Sequence, residues 1–275
     1  MKILLIGARG FVGSAVAKKL TNHQVHTLDN HPGPKNHLQA DILDTKRLIE
    51  CFSGFDAVIN FVGLSPLFQP KISYHTIHVQ GAKSICEAAN KTNLSYLAHI
   101  SALGASTKAD TKYLQTKAHA EKQLQNFNNK LLIIRPSLIF DEQSQLIQLL
   151  ATASLTRLFA DVSARMQPVY REDLASWITN AISKQHTGVY ELAGPEVLTL
   201  SEVARIIYAK NNRRLFMLPS WTAHLLASVL AKLPKTRITA DQVRSLDSNN
   251  ILSSSSSATQ VVFDTSLRKW AQQGV

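Results

Sequence analysis

The chain has 275 residues, 45% of them hydrophobic, with 30 Lys and Arg against 19 Asp and Glu, a formal charge of +11. That length supports a sizeable core, in one α/β unit with a smaller lobe or in two modest domains. Two cysteines make no disulfide framework, no apolar run approaches the roughly 18 residues of a membrane span, and the opening apolar run is too short for a secretory leader, so a reduced cytoplasmic compartment is expected.

Lys2 to Ile6 reads as a short buried strand. Gly7, Gly10 and Gly13 follow at a spacing of three, and Val12, Ala15, Val16 and Leu20 recur at helical spacing. Strand, glycine turn and helix in this order form the context of a dinucleotide-binding loop. The glycines permit a tight turn and close backbone approach, and the N–H groups at the helix start face a pyrophosphate. The loop from Gly7 through Arg9, Gly10, Phe11 and Val12 to Gly13 is the first candidate cofactor site.

Val25 to Leu28 reads as a second strand ending in Asp29, an acid about twenty residues beyond the loop, where it would bond ribose hydroxyls and repel a 2′-phosphate. Asp29 therefore favours NAD. Arg9 argues for NADP, because its guanidinium could reach that phosphate. Asp29 weighs more, since a carboxylate beside a phosphate is costly.

A third strand is expected over Leu38 to Ile42, with Asp41 at its end. Asp44 reads as the cap of a helix over Thr45 to Phe52. Ala57 to Val62 reads as a fourth strand, followed by a loop with Gly63, Ser65, Pro66 and Pro70. A helix over Gln80 to Asn90 and a fifth strand over Tyr96 to Ile100 complete the alternation. This pattern predicts a doubly wound, mostly parallel α/β sheet whose ligands bind at the carboxyl ends of the strands. The glycine loop, Asp29, Gly63 and Ser101 fall at such ends.

Lys112 to Phe127 reads as a long helix, and Leu131 to Arg135 as a sixth strand stopped by Pro136. The pattern is helical from Leu146 and then irregular. A strand is expected over Gly188 to Ala193, a helix over Leu200 to Tyr208 opened by Thr199 or Ser201, and an apolar helix with Trp221 over Ser220 to Leu233. The expected organisation is a Rossmann domain over 1–195, with part of 140–165 joining the lobe. A small C-terminal lobe over 196–250 and a Ser-rich linker and tail over 251–275 follow.

Tyr113 and Lys117 are four residues apart, hence on one helix face. An ammonium and an oxidised nicotinamide would favour the phenolate, giving Tyr113 a general acid/base role, while Lys117 holds the nicotinamide ribose. Ser101, at a strand end, could orient a substrate carbonyl. His75 and His78 have ligand-like spacing, but no Cys, Asp or Glu cluster joins them, so no metal site is expected. Nucleic acid is disfavoured, because no recognition motif accompanies the charge. From Arg205 to Arg244 the only acid is Asp241, which makes this stretch a candidate docking surface for an acidic partner or an anionic membrane.

GARGFVG, Ser101 and YLQTK from Tyr113 to Lys117 resemble the cofactor loop and Ser–Tyr–Lys set of the extended and atypical short-chain dehydrogenase/reductases. HISALGAS from His99, IIRPSLIF from Ile133, QPVYREDLA from Gln167, YELAGPEVLTLSEVARII from Tyr190 and ITADQVRSLDSNN from Ile238 resemble one subgroup. It contains the Rossmann-fold accessory subunit of respiratory complex I, its bacterial relatives and relatives associated with ubiquinone biosynthesis. The resemblance implies an NAD(P)-binding fold with a lobe over the nicotinamide end. By family position it implies that Gly7, Gly10, Gly13, Asp29, Asp41, Ile42, Gly63, Lys117 and Pro136 shape the cofactor site. Four positions depart from the pattern: His78 stands where many relatives have Asn, Asp141 where many have Gly, Leu103 where extended members often place the catalytic serine, and Asp29 where several NADPH-using relatives end the second strand in Arg. Two main functions follow as expectations, with a redox-sensing regulator that binds a transcription factor or nucleic acid as a weaker third. One is hydride transfer on a carbonyl or hydroxyl substrate, with Tyr113, Lys117 and Ser101 as catalytic residues. The other is a non-catalytic, dinucleotide-loaded subunit of a membrane-associated respiratory or quinone-synthesis complex, cytoplasmic and peripheral to the membrane's inner face.

Overall fold

The computed structural model describes residues 1–66, 72–152, 158–219, 222 and 248–273. In chain order it has β1 (Lys2–Ile6), α1 (Phe11–Lys19), β2 (Gln24–Asp29), β3 (His37–Gln39), α2 (Thr45–Phe52), β4 (Ala57–Asn60), a π-helical turn (His75–Gln80), α3 (Gly81–Lys91), β5 (Tyr96–Ile100) and α4 (Lys112–Leu124). β6 (Lys130–Pro136), β7 (Ile139–Phe140), α5 (Gln145–Thr152), β8 (Leu158–Ala160), β9 (Arg165–Met166), β10 (Val169–Tyr170) and α6 (Arg171–Ser183) follow. The chain continues through β11 (Gly188–Ala193), β12 (Leu198–Thr199), α7 (Leu200–Lys210), β13 (Phe216–Leu218), β14 (Thr259–Val262) and α8 (Leu267–Gln272).

Among the described residues, eight strands form one sheet in the order β14-β11-β6-β5-β4-β1-β2-β3. Every pairing in it is parallel. Side chains alternate between its faces. Ile3, Leu5, Ile59 and Ala98 pack with α1 and α6, while Leu4, Ile6, Val58 and Leu97 pack with α2, α3 and α4. These residues are buried, each large aliphatic contributing roughly 1.5–3 kcal/mol. The sheet covered on both faces is the doubly wound Rossmann arrangement the alternation predicts. A third cluster joins Phe140, Leu146, Leu150, Leu198, Val203, Ile207 and Trp270, so α5, α7 and α8 share a separate small core.

Several differences have local causes. β3 stops at Gln39 rather than Ile42 because Asp41 turns the chain: its Oδ1 accepts from Leu43 N (2.9 Å) and its carbonyl from Asp44 N (3.0 Å). α6 has no counterpart in the sequence reading. Leu174, Ala175, Ile178, Ala181 and Ile182 make one apolar stripe on it, which packs into the α1 face of the sheet. The serine run 253–257 forms hydrogen-bonded turns, with Ser256 N on Ser253 O (3.1 Å) and Gln260 Nε2 on the same carbonyl (2.6 Å), and delivers the chain to β14. Cys51 and Cys86 are free thiols buried in the α2–α3 core. The Trp221 helix and Lys232, Lys235, Arg237, Asp241 and Arg244 of the basic stretch lie outside the described residues, as does Pro70.

Candidate functional site

The chain leaves the central strand β1 through Gly7, at φ +77°. A Cβ there would stand 3.0 Å from the Val62 side chain, so Gly7 closes the crevice where the strand order reverses between β1 and β4. Gly13 is a glycine for proximity: its Cβ would fall 2.5 Å from Gly7 O. Gly10 N donates to Gly7 O (3.0 Å) and opens α1. Asp44, Thr111, Thr199 and Ser266 cap α2, α4, α7 and α8 with their side chains. α1 has no side-chain cap and no acid in its first turn. Its leading N–H groups are thus left to an external anion, which fits a pyrophosphate. Val12 packs against the α1-side core, and the Phe11 carbonyl accepts from Arg171 Nε (2.6 Å).

Arg9 and Asp29, which argue oppositely about the cofactor, are bonded to each other. Arg9 Nε lies 2.8 Å from Asp29 Oδ2, and a second guanidinium nitrogen 3.2 Å from Oδ1. The same nitrogen donates to Pro32 O (3.0 Å), and His31 N donates to Oδ1 (2.8 Å). Oδ1 therefore has both acceptor sites filled, while Oδ2 keeps one for a ligand hydroxyl. Arg9 is half-exposed at 52% and Asp29 at 19%. Ile42 is buried against the start of α3, and Asp41 holds the turn before α2.

At the other end of the crevice, α4 grips the last residue of β5 and the residue after it. Lys117 Nζ donates to Ile100 O (2.9 Å), and the Ser101 hydroxyl donates to Glu121 Oε1. Lys117 Nζ also lies 2.9 Å from where a Cβ on Gly63 would stand. Burial lowers the Lys117 ammonium to about 8, with Glu121 opposing that shift. Arg135 forks onto Glu121 (2.9 and 2.6 Å) and reaches Glu191 (3.2 Å). Ser101 is 3% exposed, its hydroxyl committed to this network. Burial, and secondarily Tyr74, push the Tyr113 phenol above its ordinary value rather than below it.

His78 ties these pieces together. Its Nε2 accepts from Leu64 N (3.0 Å), so the ring proton sits on Nδ1 and donates to Thr116 Oγ1 (2.9 Å). Thr116 in turn donates to the Tyr113 carbonyl (3.0 Å). The ring stacks on Tyr74 and meets Tyr113 edge-on. Burial and then Lys117 lower the imidazole to about 3, which keeps it neutral. The residue therefore positions the Gly63 loop against α4 as an uncharged ring, its single proton held in the bond to Thr116.

The structure thus brings Gly63, Lys117, His78 and Tyr113 together, while Ser101 faces Glu121. Pro136 ends β6, its carbonyl accepting from Leu103 N (2.9 Å). Sequence reasoning missed Asn250. Its Oδ1 accepts from Ser137 Oγ (2.6 Å) and Leu138 N (3.0 Å), and its Nδ2 donates to Leu103 O (2.9 Å). One side chain pins the segment before β14 across the ends of β5 and β6. The SLDSNN block was the only signal for it. Among the described residues no group of three or more His, Cys, Asp or Glu could hold a metal, and no helix is long and apolar enough to cross a membrane.

Comparison with known proteins agrees with this geometry. The chain is 24% identical over 200 residues to the mitochondrial NADH-ubiquinone oxidoreductase 40 kDa subunit of Neurospora crassa, covering 71% of this chain and 53% of that protein. It is 28% identical over 173 residues to NADH dehydrogenase [ubiquinone] 1 alpha subcomplex subunit 9, mitochondrial, of Dictyostelium discoideum, covering 61% and 48%. The chain spans about half the length of these relatives. A Thermus thermophilus UDP-glucose 4-epimerase, solved in complex with NAD, shares the fold: TM-score 0.66, 18% identity, 89% of this chain and 99% of that one. The model of the NAD dependent epimerase/dehydratase family matches residues 3–193, and the chain belongs to that family.

Proposed function

We propose that this protein binds NAD(H) across the carboxyl ends of β1, β2 and β4 and holds it as a resident group, in an accessory role, rather than turning it over on a carbonyl substrate. The observation that carries the reading is Ser101, whose buried hydroxyl is given to Glu121, with apolar, buried Leu103 two residues on. Carbonyl polarisation beside Tyr113 then lacks the hydroxyl that reduction would require. The uncapped α1 start receives the pyrophosphate, Asp29 Oδ2 a ribose hydroxyl, and Lys117 with Gly63 the nicotinamide ribose. NAD is preferred to NADP, because a 2′-phosphate would stand against the Asp29 carboxylate. Bound, the dinucleotide would supply hydride chemistry. The residues of this chain position it and exclude water.

The names of the mitochondrial relatives place them in a respiratory NADH dehydrogenase, which supports a respiratory or quinone-linked complex as the setting. Exposed Arg205, Arg213 and Arg214 belong to the basic surface proposed to meet it at the membrane's inner face. The test is protein purified without added nucleotide. Mass spectrometry identifies any retained dinucleotide, and exchange against free NADH and NADPH gives its residence time. NAD(H) held for hours is the expected result. A site that exchanges within seconds overturns the resident role.

A second reading, hydride transfer with Tyr113 as acid/base, is favoured by one observation: Tyr113 and Lys117 share a face of α4 beside the Gly63 loop. It requires turnover that Tyr113→Phe abolishes while nucleotide binding persists.

A further inference from the structure

Arg171, the first residue of α6, is 6% exposed and reaches into the cofactor loop. Its Nε donates to Phe11 O (2.6 Å) and one terminal nitrogen to Ser14 Oγ (2.7 Å). The other donates to Asp141 Oδ2 (2.8 Å) and Gln143 Oε1 (3.1 Å). The guanidinium also covers the Phe11 ring, 4.8 Å from its centroid. The fork is thus fastened on one side to the first turn of α1 and on the other to the segment entering α5. Asp141, the position that departs from the family pattern, is its counter-charge.

We propose that Arg171 is a positioning residue for the pyrophosphate end of the dinucleotide site, and that Asp141 sets how much of its positive charge the bound anion feels. The inference rests on the proposed NAD(H) binding. Two consequences separate it from ordinary packing. The Arg171 guanidinium orients the one turn of α1 whose N–H groups lack a side-chain cap. Its charge is buried, so little solvent screens it from an anion at that turn. Arg171 therefore attracts the pyrophosphate, and the Asp141 carboxylate, 2.8 Å from it, cancels most of that attraction.

Asp141→Asn keeps the side-chain shape and an acceptor for Gln143 N, which Asp141 Oδ1 holds at 2.6 Å, while removing the negative charge. The experiment titrates NADH and ADP, at low and high salt, into the wild type, Asp141→Asn and the double variant Arg171→Met/Asp141→Asn. The double variant removes both buried charges together, so neither is stranded, and thermal melts report folding of all three. Asp141→Asn is expected to bind both ligands roughly three- to tenfold more tightly, a gain that persists at high salt because the unmasked charge is buried. The double variant is expected to bind both about tenfold more weakly than wild type at either salt concentration, because the first turn of α1 loses the bonds to Phe11 O and Ser14 Oγ that orient it. The opposite signs are what a merely structural role would not give. A wild type that binds NADH while Asp141→Asn binds it equally or more weakly overturns the proposal. A wild type that binds no dinucleotide at all overturns the reading beneath it.

Discussion

Each end of the crevice pairs an arginine with a carboxylate, and the two pairs are built for different work. Arg9 and Asp29 meet at the loop side, half in water, where an ion pair contributes at most about 1 kcal/mol. Arg135 and Glu121 meet under α4, with Glu121 5% exposed and also holding Ser101. There the pair is fastened in place, since losing one partner strands the other charge. The lesson is about dielectric more than about contacts. The wet pair can rearrange to select a ligand, whereas the dry pair fixes the register of α4, and with it Lys117 and Tyr113, against β5.

The sharpest way to break this contrast is at the dry end. Glu121→Ala should destabilise the protein by about 3–5 kcal/mol, read from chemical denaturation, because Arg135 and Ser101 lose their shared acceptor. A loss below 1 kcal/mol would make the two pairs alike. Asn250→Ala should cost about 2–3 kcal/mol by the same measurement, since Leu138 N–H and Leu103 C=O are left unpaired.

Lys117→Met tests the opposite sign. The ammonium titrates near 8 when folded and near 10.5 when unfolded. Between those values the unfolded chain binds more protons, so wild-type stability rises with pH through the window. At pH 7 the buried charge costs about 3 kcal/mol, offset in part by its bond to Ile100 O. The variant should therefore gain about 2 kcal/mol at pH 7, and the gain should vanish near pH 10.5. Its dinucleotide affinity should fall. A gain that does not change with pH would remove burial as the cause.

The smallest effects belong to the wet end. Asp29→Asn should raise the affinity for NADPH relative to NADH by roughly tenfold in a binding titration, as the carboxylate facing a 2′-phosphate is lost. Arg9→Ala should change stability by no more than about 0.5 kcal/mol. An Arg9→Ala loss as large as that of Glu121→Ala would erase the distinction between the ends.

What the sequence made legible was what local pattern encodes. Gly7, Gly10 and Gly13 announce the turn, and Tyr113 and Lys117 share a face by spacing alone. Five apolar runs alternating with helices predict the parallel sheet. The rest depends on distant partners. Asn250 bonds residues 112 to 147 positions away, and no periodicity points to such contacts. β14 has only four residues, too few for an alternation to stand out. Ser101 was legible as a strand-end hydroxyl, but Glu121, twenty residues on, decides where it points. α6 is the exception: its apolar stripe was present at helical spacing in the sequence and could have been found there.

The two thiols have a practical consequence. Burial raises both Cys51 and Cys86 above the ordinary thiol value, and both sit on α2 and α3, with none on the α1–α6 face. Alkylation must therefore wait for that side of the sheet to open, and its rate measures how often it does. The molecule carries two native stopwatches on one face only. A dinucleotide that stabilises the crevice should slow them, with no label to be engineered.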